Sequence, residues 1–433
     1  MSKRTVAFYT LGCKVNQYET EAMKALFIKN GDEVVEASES ADVYVINTCT
    51  VTSVGDKKSR QFIRKAKRMN PEALVAVVGC YAQIAPDEVM ALDGVNLVLG
   101  TDERAKIVDY LGSVSGNEKR KVVGDIMDTY DFEELQIEGV SGKTRAFLKI
   151  QEGCNQYCSY CIIPYARGNI RSREPFNVIS EVRRVVAHGY KEIVLTGIHL
   201  ASYGKDQIDI DLITLLEKLN EVESLERIRL GSLEPQLIDS DFVDRLKKVD
   251  KFCDQFHLSM QSGCDTTLKR MNRKYTTAQY MESVRLIRNA YPDAAITTDV
   301  IVGFPGETDE HFNETQAFVA SVGFSEMHVF KYSKREGTKA YLMPDQIDEQ
   351  VKEARSQKLI HLAEKMQHAY LEKFIGTEVE VLLEKVSGHG KFAKGNSKAH
   401  VTVEVIGEGM KENTLVVCKV DDREDLRLIG RLL

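Results

Sequence analysis

The chain has no tryptophan and only eight prolines in 433 residues, and no stretch of it is low in complexity or internally repeated. Repeat arrays and proline-rich disordered segments are therefore excluded. It also lacks any apolar run long enough for a secretory signal or a membrane span, and Met-Ser-Lys-Arg-Thr leads straight into a strand-like run. A cytoplasmic protein with no membrane association is expected. Nor is there an excess of positive charge. Lys and Arg number 58 against 65 Asp and Glu, a net charge of −7, so there is no global nucleic-acid signature and any RNA contact must be local. What is present suits an ordinary globular protein, with 43% hydrophobic and 28% charged residues. The length exceeds the ceiling of about 250–300 residues for one core, so two or three domains are expected.

Nine cysteines without a secretory signal point to a reducing compartment and to metal ligation rather than disulfides. Three of them, Cys154, Cys158 and Cys161, form a C-x3-C-x2-C run in Gly-Cys-Asn-Gln-Tyr-Cys-Ser-Tyr-Cys-Ile-Ile-Pro. Thiolates select soft centres such as zinc or iron–sulfur. A structural zinc site wants four protein ligands, usually as paired half-sites. Here no fourth Cys is near, and the nearest His are His188 and His199. Three ligands on a four-iron cluster leave one iron open to a ligand that is not protein. The cluster is the favoured reading, with zinc as the alternative.

A second trio is spread more widely. Cys13 ends Thr-Val-Ala-Phe-Tyr-Thr-Leu-Gly-Cys, Cys49 ends Asp-Val-Tyr-Val-Ile-Asn-Thr-Cys, and Cys80 ends Leu-Val-Ala-Val-Val-Gly-Cys. Each run is apolar and β-branched, as in a fully buried parallel strand, and helix-like segments at 19–30 and 53–69 separate them. Alternating strand and helix implies a parallel α/β sheet, which binds ligands at the carboxyl ends of its strands. The three cysteines are then expected to converge on one crevice and ligate a second cluster, against the plainer reading of three buried core thiols.

On these residues the chain resembles the radical S-adenosylmethionine (SAM) family, and more narrowly its methylthiotransferases. Tyr160 fits, since such motifs usually carry an aromatic just before the third Cys. The run Thr10-Leu-Gly-Cys-Lys-Val-Asn-Gln-Tyr-Glu-Thr-Glu is most like the subgroup acting on threonylcarbamoyladenosine beside the tRNA anticodon. The subgroups acting on isopentenyladenosine or on a ribosomal protein are the alternatives. The resemblance extends over nearly the whole chain and implies two 4Fe–4S clusters. The first would cleave SAM reductively to a 5′-deoxyadenosyl radical; the second would carry the sulfur that is methylated and joined to C2 of the base. Also implied are tRNA as partner, a one-electron reductant such as flavodoxin or ferredoxin, and a sulfur source. An iron–sulfur protein without turnover, binding RNA or carrying electrons, is the alternative of a different class. It would need neither a cavity nor an open iron.

Three units are expected in order. Residues 1–111 form an N-terminal parallel α/β domain with a fourth strand at 95–99, and 112–143 is a linker in which Gly116-Asn117-Glu118-Lys119-Arg120-Lys121 reads as a solvated turn. Residues 144–373 hold six strand-like runs, at 145–150, 192–196, 227–231, 255–260, 295–302 and 326–331, with helices at 177–188 and 308–322. That spacing suggests a (β/α)6 partial TIM barrel, which the resemblance also implies, with strand ends facing one mouth. A long helix near 344–374 precedes the last unit, 374–433, where period-two alternation at 377–384, 399–406 and 414–420 reads as a small antiparallel β-barrel. This unit resembles the RNA-binding TRAM domain.

Polar residues at the central strand ends argue for a lined cavity: Thr196 and Gly197 after the second strand, Ser232 and Glu234 after the third, Ser259 and Gln261 after the fourth, Asp299 in the fifth. The resemblance puts SAM there, beside Tyr160, although the broad family often has Gly-Gly-Glu where this chain has Leu-Thr-Gly-Ile. Arg167, Arg171 and Arg173 follow the first cysteine run and are expected tRNA contacts, with guanidinium groups suited to phosphate or a threonyl carboxylate. Lys391, Lys394 and Lys398, with Lys385 and Phe392, form an expected lysine loop against tRNA in the last unit. Lys57, Lys58, Arg60, Arg64, Lys65, Lys67 and Arg68 crowd the helix after Cys49, as phosphate contacts or as a solvated face. Cys253, Cys264 and Cys418 read as structural, although Cys264 follows a barrel strand and can face the cavity.

Overall fold

The computed structural model describes residues 3–50, 53–116, 118–137 and 144–433. Asn117 of the expected turn, residues 138–143 of the expected linker and the first two residues lie outside the described ones. Among the described residues, no helix is long and apolar enough to cross a membrane.

The first sheet is wholly parallel, in the order Glu33–Val35, Thr5–Thr10, Val43–Thr48, Leu74–Gly79, Leu97–Leu99, Arg120–Val122. Both faces are covered. Val43 and Val45 pack with Met23 and Phe27 on one side, while Tyr44 and Ile46 pack with Ile63 and Ala66 on the other. Neither face needs polar residues over most of its length, so these strands are mainly apolar, with Asn47 and Thr48 buried at the carboxyl end of one. Each such side chain stabilises the sheet by about 1.5–3 kcal/mol. The registers Thr10↔Asn47 and Thr48↔Gly79 set the carboxyl ends of three neighbouring strands side by side.

Two boundaries differ from expectation. The first helix is Lys14–Lys29, starting directly after Cys13 rather than at residue 19. Its buried stripe of Val15, Tyr18, Ala22 and Met23 is interleaved with buried Asn16, Glu19 and Thr20, which hides the apolar period. The expected solvated turn and linker contain the strand Arg120–Val122, which pairs with Leu97–Leu99 as the sheet's edge. Exposed Arg120 and Lys121 suit an edge, where charge deters further pairing.

The central unit has six main strands in sequence order, arranged as two sheets. Arg227–Leu230, Glu192–Gly197 and Arg145–Glu152 form one with the short antiparallel Arg171–Ser172; Ser232–Leu233, Gln255–Leu258, Ala295–Val302 and Glu326–Lys331 form the other. The third strand changes sheets at Gly231, so the partial barrel turns there. Helix Pro175–Ala187 lays Val178, Val182 and Val185 on the strands, and Pro175 pre-sets its first turn. Helix Asp309–Val322 starts in a Thr308/His311 capping box and stops at Gly323, whose φ of 64° is left-handed. The long helix is Glu349–Glu372.

The last unit is a closed barrel in the order Glu378–Ser387, Phe392–Ser397, Thr402–Ile406, Arg427–Leu432, Leu415–Glu424. Four of its pairings are antiparallel, but Thr402–Ile406 and Arg427–Leu432 run parallel. The barrel is clasped to the central unit: Arg227 donates to Asn396 O (2.9 Å), and Arg229 donates to Lys398 O (2.8 Å) and Ser397 O (3.2 Å).

Candidate functional site

The distant cysteines meet because three strand ends do. Cys13 is the N-cap of Lys14–Lys29, Cys49 follows Val43–Thr48, and Cys80 opens the short helix Cys80–Ile84. Gly12 has φ +101°, and a Cβ there would lie 2.7 Å from Cys49 Cβ and 3.0 Å from its Sγ, so only glycine lets the two loops close. The Asn16 amide donates to Leu11 O (2.7 Å) and Thr48 O (2.9 Å), stitching the Cys13 and Cys49 loops together. Its Oδ1 accepts from Cys13 Sγ at 3.8 Å. Arg167 completes the seat by donating from Nε to Cys80 Sγ at 3.2 Å.

The C-x3-C-x2-C loop is held by backbone geometry. Gly153 has φ +71°, and a Cβ there would stand 1.7 Å from Asn169 O, so no side chain fits. Tyr157 takes a left-handed φ of 50°, and Cys154 N donates to Gly168 O (3.0 Å) while Cys161 N donates to Cys158 O (2.9 Å). Arg273 bonds Cys158 Sγ (3.4 Å), Glu234 Oε1 (2.6 Å) and Ser259 O (3.1 Å). His199 Nε2 lies 3.6 Å from Glu234, extending a polar chain away from Cys158. Nothing in the local sequence marked Arg273, because its partners Cys158 and Glu234 are 115 and 39 residues away.

Both seats offer thiols as donors. Burial pushes Cys80 and Cys161 up to about 12 and Cys154 up to about 11, so these sulfurs ionise only when a cation takes their charge. Among the described residues, no three of His, Cys, Asp and Glu stand close enough to ligate one bare ion. Ligand sulfurs around a four-iron cluster stand further apart than those around a single ion. Three soft donors per seat, a glycine cradle and an arginine on one sulfur of each fit an iron–sulfur cluster. Cys253, Cys264 and Cys418 are buried, and Cys264 does not line the cavity described next.

A cavity of about 290 Å³ opens beside Cys161, lined by Tyr160, Gln261, Asp299, Ile301 and Phe330 among others. Gln261 is held there with φ +66° by its N–H donating to Asp299 O (2.8 Å). Tyr160, Gln261 and Asp299 are thus brought together. Glu234 lies across Cys158 on Arg273, whereas Thr196, Gly197 and Ser232 do not line the cavity. Gln151 packs against Gly197, with Oε1 3.0 Å from where a Cβ would be.

The arginines following the cysteine loop are not surface cations. Arg167 and Arg173 are 0% exposed and Arg171 2%. Arg173 is paired with Glu181 and with Glu134 (2.8 Å), and Arg171 donates to Thr129 O (3.1 Å) and Arg167 O (3.1 Å). Buried in this way they present no surface cation to tRNA, which corrects that expectation. Arg167 belongs instead to a buried charge group. It meets Glu19 (2.5 Å) and Glu152 (3.0 Å); Arg104 also meets Glu19 (2.5 Å), and Lys149 meets Glu152 (2.7 Å). Burial alone would raise the Glu19 carboxyl, but Arg104, Arg167 and Lys149 outweigh it and hold it at about 2. Removing one partner from such a group typically costs about 3–5 kcal/mol.

The lysine loop of the last unit is a strand, Phe392–Ser397, with Lys394 opposite Lys385 and exposed Lys391 and Phe392 beside them. Lys398 is separate: its Nζ donates to Asp250 O (3.2 Å) at the junction with the central unit. On helix Ser53–Met69, Lys57, Lys58, Arg64 and Arg68 are exposed. Arg60 pairs with Glu88 (3.2 Å), Lys67 donates to Ala73 O (2.7 Å), and Lys65 lies over the Tyr9 ring.

Residues 148–319 match the Radical SAM superfamily and residues 5–100 match the uncharacterized protein family UPF0004. The chain is 48% identical over 384 residues to the threonylcarbamoyladenosine tRNA methylthiotransferase MtaB of Bacillus subtilis, covering 88% of this chain and 85% of that one. Similarity to the protein of the same name from Aquifex aeolicus is 43% over 383 residues, 87% and 92% of the two chains. Among solved structures, the radical S-adenosylmethionine methyltransferase TsrM of Kitasatospora setae shares the fold, with a TM-score of 0.55 at 17% identity over 76% of this chain and 75% of that one.

Proposed function

The chain belongs to the radical SAM tRNA methylthiotransferases, and from that premise we propose that it converts threonylcarbamoyladenosine in tRNA to its 2-methylthio derivative. Enzymes of this family carry two 4Fe–4S clusters and use SAM. The observation that carries the reading is the pair of three-thiol seats in adjacent units, one of them opening on a cavity. Cys154, Cys158 and Cys161 would hold the cluster that serves SAM, and Cys13, Cys49 and Cys80 the auxiliary one. When bound, these groups supply one-electron reduction of the SAM sulfonium and the sulfur that becomes the methylthio group.

The chain's own residues do the rest. Ile301 and Phe330, with Tyr160 packed edge-on against Phe304, give the cavity an apolar wall. The Asp299 carboxylate and Gln261 amide are polar partners for a SAM held there. Arg273 places a donor on Cys158 and holds Glu234 by its Oε1. The reductant would be a flavodoxin or ferredoxin, with a separate sulfur source, and the setting the cytoplasm. For the domains we keep boundaries near 144 and 374, and we extend the first unit through the strand Arg120–Val122.

Mass spectrometry of tRNA nucleosides from cells with and without the protein tests the base. Loss of 2-methylthio-threonylcarbamoyladenosine, with the methylthio-isopentenyl nucleoside intact, is the expected result. The reverse pattern overturns the base and leaves the enzyme class standing.

We assign tRNA docking in the last unit to Lys385, Lys391 and Lys394 around Phe392. Replacing the three lysines by Gln is expected to weaken tRNA binding and to lower its salt slope by up to about 0.9 for each phosphate no longer neutralised. Lys398→Ala serves as the comparator and should leave the slope in place. An unchanged slope in the triple variant means that those lysines are only a solvated surface.

A further inference from the structure

Arg167 sits in the radical half of the chain, at the end of the short helix Ile163–Arg167 that follows Cys161. Its guanidinium nevertheless works in the other half. Nε donates to Cys80 Sγ (3.2 Å), and NH2 donates to Asn16 Oδ1 (2.7 Å) and Glu19 Oε2 (3.2 Å). NH1 donates to Glu19 Oε1 (2.5 Å) and Glu152 Oε1 (3.0 Å). All three nitrogens are engaged, and the side chain is fully buried.

The partners define what this contact can do. Asn16 is the same residue whose amide joins the Leu11 and Thr48 carbonyls, next to Cys13 and Cys49. Arg167 bonds Asn16 and Cys80 together, so one guanidinium reaches all three cysteine segments of the auxiliary seat. Glu152 anchors the other side, two residues before Cys154 on the strand Arg145–Glu152. A donor on a ligating sulfur draws off electron density and stabilises the more negative, reduced state of the centre bound to it. Asn16 and Glu19 direct this donor, since they hold the fork flat while Nε faces Cys80.

We propose that Arg167 is a positioning residue by which the radical half fixes the auxiliary seat: it holds Cys80 in place and raises the reduction potential of the centre ligated there. This rests on the reading of Cys13, Cys49 and Cys80 as cluster ligands. Iron content of the unaltered protein tests that reading separately, since only about four irons per chain would sink it before Arg167 is touched.

The test is an EPR-monitored redox titration of the full-length, anaerobically loaded protein and of Arg167→Lys and Arg167→Met, with Cys158→Ala used to tell the two midpoints apart. Lysine keeps a cation among Glu19 and Glu152 but has no Nε–H in place to reach Cys80. Both variants are expected to lower the auxiliary midpoint and leave the radical-cluster midpoint where it was. Should Arg167→Met lose iron, Arg167→Lys decides: loss confined to the auxiliary half supports the holding role. An unmoved auxiliary midpoint at full iron content overturns the proposal. So does loss of both clusters together in Arg167→Lys, which would make Arg167 a general fold residue.

Discussion

Replacing Cys158 by alanine is expected to abolish reductive cleavage of SAM and methylthiolation together, and to halve iron from about eight to about four per chain. Cys158 is the middle thiol of the loop beside the cavity and the one that Arg273 bonds at 3.4 Å. Its removal leaves Arg273 on Glu234 and Ser259 O, and Ser159 N still donates to Met271 O (2.9 Å). The loop therefore has backbone anchors that survive the change, and loss of activity is read as loss of the cluster. The measurements are iron content, 5′-deoxyadenosine release under reduction, and methylthiolated nucleoside. Continued 5′-deoxyadenosine release from a folded Cys158→Ala protein would sink the assignment of this seat. Zinc in place of iron would sink both seats at once.

Cys49→Ala should separate the two halves. Methylthiolated product is expected to vanish while 5′-deoxyadenosine is still released under reduction, because the seat at residues 154–161 keeps all its thiols and anchors. Alanine retains the Cys49 β-carbon beside Gly12, so that contact between the two loops is kept. Gly12→Ala offers a second route to the same phenotype. It places a methyl 2.7 Å from Cys49 Cβ at a backbone φ of +101°, and must push that cysteine out of line. Methylthiolated product from the Cys49→Ala protein would show that the sulfur is carried elsewhere.

The two cysteine seats were legible because their signals are local. A thiol spacing of C-x3-C-x2-C is printed in one loop, and mainly apolar runs before Cys13, Cys49 and Cys80 announce strands buried on both faces. Strand–helix alternation then implies that the sheet is parallel. The strand Phe392–Ser397 was not legible, since Phe-Ala-Lys-Gly-Asn-Ser has neither β-branched residues nor clean alternation. Pairing on both sides within a closed barrel makes it a strand. Arg120–Val122 likewise exists because Leu97–Leu99 offered an open edge.

The sequence by itself determined the α/β fold class, the strands that lead into Cys13, Cys49 and Cys80, and the class of chemistry, because each depends on spacing and on apolar period within short windows. Only the tertiary structure decided what the charged residues do. Arg167, Arg171 and Arg173 read as loop cations free for tRNA, yet they lie buried against Glu19, Glu152, Glu181 and backbone carbonyls. Arginine is equally at home in water or paired with a buried carboxylate, so its neighbours choose between them. For Arg167 the deciding neighbours, Glu19 and Cys80, are 148 and 87 residues away in the other half of the molecule.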